Sequence, residues 1–141
     1  NRLRAAHFIA QLAHESDRFR SFEEYASGQD YEGRADLGNT QPGDGRRFKG
    51  RGAIQLTGRA NYRRASDWLG IDLVRQPELA ALPAIAYQTA AFYWLDNGIN
   101  SRADRDDVKG ATRLINGGLN GLKDRASLLN AAKDALYVNI T

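Results

Sequence analysis

The chain has 141 residues, of which 42% are hydrophobic, 20 are Lys or Arg, 17 are Asp or Glu and none is Cys. This length and apolar fraction predict a single domain over residues 1–141 with a sizeable core, and the lack of cysteine excludes a disulfide framework. Because no apolar run reaches about 18 residues and no signal peptide is recognisable, we expect neither a membrane span nor a secretion signal in this sequence.

The predicted elements are mostly helices. An N-terminal amphipathic helix ending near Glu15 is predicted by apolar residues that recur at i, i+3, i+4 and i+7, namely Ala5, Phe8, Ile9 and Leu12. The glycine-rich segment 26–50 is expected to be a loop, with at most a short β-hairpin near Phe48 to Leu56. Further elements follow in order: helices at Arg59 to Leu69, Pro83 to Asp96, Asp104 to Ile115 and Leu122 to Val138, and a short turn at Pro77 to Leu82.

Two carboxylates stand close together in the sequence, since Glu24 follows Glu15 by nine residues. Hydrolysis of a glycosidic bond needs one carboxyl group that protonates the leaving oxygen and a second that acts as base or nucleophile. The negative end of the helix dipole and partial burial favour the protonated form of Glu15, which a general acid requires. Arg18 and Arg20 favour the ionised form of Glu24, which suits a base. The alternative is that both are solvated surface glutamates.

Four features occur together and in order: AHES at Ala13 to Ser16, the spacing of Glu15 and Glu24, FKGRGAIQLTGRANY at Phe48 to Tyr62, and INGG at Ile115 to Gly118. This set resembles glycoside hydrolase family 19, which comprises chitinases and lysozyme-like endolysins of phages and bacteria. The resemblance implies a mainly α-helical, lysozyme-like fold with a central substrate cleft, and no cofactor. It also implies an inverting mechanism with Glu15 as acid and Glu24 as base, their carboxyl groups about 6.5 to 9.5 Å apart.

The same resemblance assigns roles to further polar residues. Thr57 is implied to hold the attacking water, because a hydroxyl group both donates and accepts hydrogen bonds. Substrate contacts are implied for Gln55, Asn61, Tyr62, Asn116 and Arg125, the last of which is expected behind the catalytic carboxylates.

Each of these residues also has a structural alternative. Thr57 precedes a predicted helix and could cap it, and Tyr62 lies on an apolar pattern that could place it in the core. Asn116 stands before two glycines and could simply end a helix, while Arg125 could be a solvated helix residue. The glycines Gly50 and Gly52 could serve only to let the backbone turn or approach a neighbour.

The base has two rivals in the same region, Glu23 and Glu32. The nine-residue spacing to Glu15 favours Glu24. Glu32 lies in the predicted loop with Asp30, Tyr31 and Arg34, where these side chains could line a cleft.

The histidines do not predict a metal site. His7 and His14 are seven residues apart on one predicted helix, and with no cysteine they cannot supply the three or four ligands that zinc usually takes. We therefore expect no metal, and expect His14 to be a hydrogen-bonded neighbour of the site.

Charge favours one substrate. A formal charge of +3 and a pI near 9.4 favour approach to an anionic polymer such as bacterial cell wall, whereas chitin is essentially neutral. We therefore expect a peptidoglycan hydrolase of the lysozyme (muramidase) type, cutting between N-acetylmuramic acid and N-acetylglucosamine. A chitinase is the first alternative and a non-catalytic glycan-binding module the second.

The biological setting follows from that expectation. The domain is interpreted as a phage endolysin domain excised from a longer modular protein, made in the host cytoplasm and acting at the bacterial cell wall. Acidic residues interspersed among the basic ones argue against a nucleic-acid partner. A monomer is expected.

Overall fold

A computed structural model of the chain describes residues 1–137. These residues contain seven α-helices: α1 (Arg2–Glu15), α2 (Asp44–Arg47), α3 (Arg59–Leu69), α4 (Pro83–Asp96), α5 (Asn100–Asp104), α6 (Val108–Asn116) and α7 (Leu122–Ala135). Short 3-10 helices lie at Gln29–Tyr31, Ala35–Leu37 and Pro77–Ala81. Within the described residues, β-structure is limited to isolated antiparallel bridges that join Arg51 to Glu23 and to Leu56. The mainly α-helical prediction is confirmed.

The chain folds as two compact units. The first unit combines Asn1–Phe19 with the chain from Tyr93 onward. Its core forms where α1 packs against α7, with Ala6 and Ala10 buried against Leu129 and Ala132. Small side chains on one face of α1 let the two helices approach closely, and this contact holds the end of α1 beside α7.

The second unit is Arg20–Phe92. Its core is built around aromatic and aliphatic residues that are buried together: Phe48, Leu56, Tyr62, Ala65, Leu73, Ala80 and Phe92. The rings of Phe48 and Tyr62 lie 5.1 Å apart at their centroids. This core supports the glycine-bracketed segment that precedes α3.

The predicted bounds of α3 and α4 are confirmed, and Gly70 ends α3 in the left-handed conformation with φ of 70°. The single helix predicted at Asp104 to Ile115 is wrong, because α5 ends at Asp104 and α6 begins at Val108. Asp106 has a φ of 54°, which no right-handed helix accommodates. The N-cap residue Asp107 then accepts a hydrogen bond from the Gly110 N–H at 2.8 Å and starts α6.

Three other expectations, on the hairpin, the last helix and the loop, were only partly correct. The predicted hairpin is reduced to one residue pair, in which Arg51 and Leu56 exchange both backbone hydrogen bonds, at 3.1 and 2.7 Å. The last helix ends at Ala135, and its predicted end at Val138 lies outside the described residues. The predicted loop 26–50 contains α2 and two 3-10 helices, which its glycines and polar residues did not indicate.

Candidate active site

Glu15 is the last residue of α1, and a tight turn follows it. The Ser16 hydroxyl donates to the Leu12 carbonyl at 2.6 Å and accepts from the Phe19 N–H at 2.9 Å. The three residues from Asp17 to Phe19 all have positive φ, between 50° and 65°. L-residues pay a steric cost in that region, so the turn is locally strained. It ends the helix directly after the carboxylate.

The carboxylate of Glu15 is paired with a buried arginine. Arg125 Nη2 lies 2.6 Å from Glu15 Oε1, and Arg125 is only 1% exposed. Besides this ion pair, two hydrogen bonds fix the guanidinium, from Nη1 to Gln11 Oε1 at 2.7 Å and from Nε to the Asn120 carbonyl at 3.0 Å. Gln11 in turn donates to the hydroxyl of Thr112 at 3.2 Å. The solvated-helix alternative for Arg125 is wrong, because its side chain is buried beside the Glu15 carboxylate. The expectation that Arg125 contacts substrate is corrected for the same reason, since a buried guanidinium offers a sugar no surface.

His14 is held by Asp124 on α7. Its Nδ1 lies 2.7 Å from Asp124 Oδ2, and Arg18 Nη2 contacts the other carboxylate oxygen at 2.8 Å. Hydrogen bonds from His14 and Arg18 lower the pKa of Asp124 below its ordinary value. A Cβ at Gly121 would collide with the imidazole ring, so that glycine makes room for it. His14 is thus hydrogen-bonded next to Glu15, as expected.

Glu24 is held by neutral donors. Its Oε1 accepts from the Gly50 N–H at 2.7 Å and its Oε2 accepts from the Tyr31 hydroxyl at 3.0 Å. The backbone of Glu24 is fixed as well, because its N–H donates to the Gly50 carbonyl at 2.9 Å and its own carbonyl accepts from Lys49 Nζ at 3.3 Å. Burial, and then the hydrogen bond to Glu24, raise the pKa of Tyr31. The carboxylate therefore has a defined orientation, and each oxygen keeps a lone pair for another donor.

The rival glutamates are engaged elsewhere. Glu23 Oε1 lies 3.1 Å from Arg51 Nε and 3.3 Å from Lys49 Nζ. Although burial acts to raise the pKa of Glu23, these two cations lower it overall. Glu32 accepts from the N–H groups of Gly43 at 2.9 Å and Gly45 at 2.8 Å, which lowers its pKa too. Glu23 thus pairs with cations of the segment at residues 49–51, and Glu32 with the backbone at residues 43–45. Glu24, which accepts from the Gly50 N–H and the Tyr31 hydroxyl, stays the candidate base in this unit.

Thr57 and Gln55 lie beside the backbone that holds Glu24. A Cβ placed on Gly50 would lie 2.6 Å from Gln55 Oε1 and 3.3 Å from Thr57 Oγ1. Only a glycine allows this approach, which gives Gly50 the close-contact role foreseen for it. Thr57 does not cap α3, because its N-cap is Gly58 and the Arg59 N–H donates instead to Asn39 Oδ1 at 2.9 Å. Within residues 1–137 the Thr57 hydroxyl has no hydrogen-bond partner, so it is available to a water or a sugar.

Asn61 and Tyr62 occupy the first turns of α3 with different surroundings. Asn61 Nδ2 donates to the Thr57 carbonyl at 2.8 Å, and the side chain is half-buried. Tyr62 is 0% exposed, donates to the Lys49 carbonyl at 2.6 Å and accepts from Arg51 Nη1 at 3.1 Å. Burial raises the pKa of Tyr62 to about 12. The expectation that Tyr62 contacts substrate is corrected, because a fully buried ring offers a sugar no surface.

The remaining sequence candidates lie in the first unit. Asn116 is exposed at the end of α6, where Gly117 closes the helix with φ of 80°. His7 is 1% exposed, and its Nε2 lies 2.7 Å from Oδ1 of Asp106, whose Oδ2 accepts from Lys133 Nζ. Over the described residues no three His, Cys, Asp or Glu side chains are grouped to hold a metal ion.

Sequence reasoning missed part of this chemistry. Gln11 and Asp124, which fix Arg125 and His14, were not singled out, and Tyr31 was placed only in the loop. Gln11 could have been found, because it lies four residues before Glu15 and therefore on the same face of α1. Asp124 had no such signal, since its partner is distant in the sequence.

The chain matches known proteins over most of its length. The family model described as chitinase class I, of glycoside hydrolase family 19, matches residues 3–113. A Haemophilus influenzae protein described as a glycosyl hydrolase family 19 domain-containing protein is 32% identical over 93% of this chain and 79% of its own length. An endochitinase from Arabidopsis thaliana is 38% identical over 80% of this chain and 39% of its own.

Solved structures of chitinases have the same fold as this chain. Chitinase C from Streptomyces griseus superposes with a TM-score of 0.78 at 27% identity, covering 96% of this chain and 60% of that one. The class IV chitinase of Zea mays has the same fold, with a TM-score of 0.80 at 22% identity over 96% of this chain and 69% of the maize chain. The helical fold and the family match together define a mainly helical glycosidase. The chain belongs to glycoside hydrolase family 19.

The share of each relative that is covered differs. The chain spans about two fifths of the Arabidopsis endochitinase and three fifths of the Streptomyces enzyme.

No helix within residues 1–137 has the length and apolar character needed to cross a bilayer.

Proposed function

We propose that this protein hydrolyses β-1,4 bonds between N-acetylglucosamine units of a chitin-type glycan, with inversion of configuration. The similar proteins whose names state a substrate are chitinases, from Arabidopsis and from Streptomyces. The charge of the chain favoured peptidoglycan, but charge acts at long range and identifies no particular sugar. We therefore prefer the chitinase hypothesis to the peptidoglycan hydrolase hypothesis.

Glu15 serves as the general acid. Its Oε1 is held by Arg125, so Oε2 is the oxygen that carries the proton to the leaving glycosidic oxygen. After transfer, the guanidinium stabilises the carboxylate that remains. Because the guanidinium is itself fixed by Gln11 and the Asn120 carbonyl, the carboxyl keeps one orientation through the reaction. Arg125 is a positioning residue, since it is buried.

Glu24 serves as the general base. A water held by the Thr57 hydroxyl loses one proton to Glu24 while its oxygen forms a bond to the anomeric carbon. The bond from that carbon to the leaving oxygen breaks, and the leaving oxygen takes the proton of Glu15. The observation that carries the proposal is the surroundings of Glu24: a carboxylate fixed by neutral donors, beside a hydroxyl with no partner of its own in residues 1–137.

Sugar contacts are proposed for the polar side chains that remain accessible. Gln55 and Asn116 are exposed, and Asn61 is half-buried with its Oδ1 uncommitted. Amide groups match the acetamido and hydroxyl groups of N-acetylglucosamine because they both donate and accept.

Peptidoglycan is the second candidate substrate. The positive charge and pI near 9.4 favour an anionic wall polymer at low ionic strength. In that case the enzyme would act at the bacterial cell wall as a muramidase.

One experiment tests both candidates. Wild type and Glu15→Gln are incubated separately with chitin oligomers and with purified peptidoglycan, and mass spectrometry identifies each new reducing end. We expect chitin oligomers to be cut by the wild type alone, and proton NMR to show the inverted α-anomer first. Muramic acid ends from peptidoglycan alone would select the muramidase. Binding without product from either polymer would select a glycan-binding module.

A further inference from the structure

A large polar groove lies along α3 in the second unit. It encloses about 770 Å³ between the exposed face of α3, the segment that begins at Gln41 and the loop from Ile71 to Arg75. Arg63 and Asp67 lie one turn apart on that face, and Asp72 and Arg75 lie opposite on the loop. Within residues 1–137, none of these four residues forms a hydrogen bond or ion pair with Glu24, Gly50 or Thr57.

The floor of the groove is rigid. Asp44 is 1% exposed and forms two hydrogen bonds with Arg59, to Nε at 2.9 Å and Nη2 at 2.8 Å. Arg47 Nη2 donates to the carbonyls of Val74 and Arg75 at 2.9 Å each, which ties the loop in place. Charged groups that are already paired do not have to reorganise when a ligand enters.

Other polar groups in the groove are uncommitted. Among the described residues, the guanidinium groups of Arg63 and Arg75 and the carboxylate of Asp67 form no hydrogen bond or ion pair. The Gln41 amide accepts from Arg59 through its oxygen, at 3.1 Å, and keeps its two N–H donors. The groove therefore presents both donors and acceptors, with positive and negative groups nearly balanced.

Two buried rings, Phe48 and Tyr62, connect the lining of this groove to the backbone next to Gly50. The guanidinium of Arg59 lies 4.9 Å from the centroid of the Phe48 ring, and Tyr62 packs against the same ring at 5.1 Å. Tyr62 in turn bonds to the Lys49 carbonyl. The residues that line the groove and those that hold Glu24 are thus different sets, connected through Phe48 and Tyr62.

We propose that the groove is a second, non-catalytic binding site for a neutral glycan strand. Sugar hydroxyls both donate and accept, so a lining with free guanidinium and carboxylate groups matches them better than it matches a polyanion, which Asp67 and Asp72 would repel. A strand held there raises the local concentration of polymer at the enzyme, which strengthens binding to long or insoluble chains and leaves short oligomers unaffected. The identity of the glycan rests on the proposed function.

The test compares Arg63→Gln/Arg75→Gln with Arg2→Gln/Arg105→Gln, which removes the same charge from exposed positions of the first unit. We expect the groove variant to bind insoluble chitin on the order of tenfold more weakly, with unchanged turnover of a soluble N-acetylglucosamine hexamer. The control variant should bind like the wild type. Unchanged binding of the groove variant, or an equal loss in both variants, overturns the proposal.

A second substitution distinguishes a sugar site from an anion site by whether it weakens or strengthens binding. If the groove binds a sugar, Asp67→Ala removes a hydrogen-bond acceptor for that sugar. If the groove binds an anion, the same substitution removes a charge that repels the anion. We expect it to weaken retardation of the protein in gels containing neutral glycol chitin. Tighter binding to carboxymethyl chitin, with no change on glycol chitin, overturns the proposal. If the wild type fails to cut the hexamer while binding to insoluble chitin still depends on Arg63 and Arg75, the proposed function is wrong. The proposed binding site in the groove is then supported independently.

Discussion

Arg125 and Glu15 form an ion pair with 2.6 Å between Nη2 and Oε1, in which the guanidinium is buried and the carboxylate is partly open to solvent. The arginine uses its other nitrogens on Gln11 and on the backbone of Asn120. The pair therefore gives the proposed acid a rigid support, built from two helices of the first unit.

Replacing Arg125 by Lys keeps the positive charge but loses the planar set of donors. We expect kcat to fall on the order of 10² while KM changes little, because the proposed acid loses its fixed orientation. The measurement is kcat, KM and their pH dependence on chitin oligomers. A drop in melting temperature with normal kcat and an unchanged pH profile would reduce Arg125 to a purely structural residue.

Thr57→Ala tests whether the hydroxyl orients water. We expect turnover to fall on the order of 10² with an unchanged melting temperature, because the hydroxyl caps no helix. Thr57→Ser should recover most of the activity, since it restores the hydroxyl. If Ala and Ser variants were equally active, Thr57 would have no part in the reaction.

Gly50→Ala tests the close approach beside Glu24. The new methyl group would lie 2.6 Å from Gln55 Oε1, so the Gln55 side chain must move and the proposed sugar contact is lost. We expect a raised KM with little change in stability. In Gln55→Ala, where the contact is already absent, adding Gly50→Ala should cost much less. Additive effects in this double-mutant cycle would mean that the two residues act independently.

Asp44→Asn tests the buried pair beneath the α3 groove. Removing one charge should lower the free energy of unfolding by about 2 kcal/mol, because Arg59 keeps some access to water. The hydrogen bonds from Arg59 hold the pKa of Asp44 below its ordinary 3.8. Folding therefore favours the ionised form; its contribution is complete above pH of about 3.8 and is lost as pH falls through the lower folded value.

Urea unfolding of wild type and Asp44→Asn between neutral and acidic pH measures this contribution. The difference in stability should be largest at neutral pH and should shrink in acid. A constant difference across that range would show that the Asp44 charge is not what stabilises the pair.

Substitutions at Asp17 test whether the turn after Glu15 is strained. Its φ of 50° suits glycine, and Asp tolerates that region better than Ala does. We expect Asp17→Gly to be more stable than Asp17→Ala by about 1 kcal/mol. Thermal unfolding of the two variants gives the comparison, and equal stability would show that the turn relaxes.

The sequence by itself determined the elements that depend on neighbouring residues. Apolar periodicity and a stop at Gly70 fixed α3, and the pattern of α1 placed Glu15 at a helix end. The ordered motifs were enough to indicate the family. Such signals are local, because helix periodicity, capping and turn residues act over a few positions.

Tertiary structure alone decided which polar groups meet. The pairing of Glu15 with Arg125, the different partners of Glu23, Glu24 and Glu32, and the burial of Tyr62 depend on packing between segments distant in the chain. The break between α5 and α6 arose from one positive φ at Asp106, which periodicity does not encode. The hydrogen-bond and charge partners of a carboxylate come from segments that meet only in the folded chain. The sequence could therefore suggest a role for each glutamate, but it could not identify the groups around it.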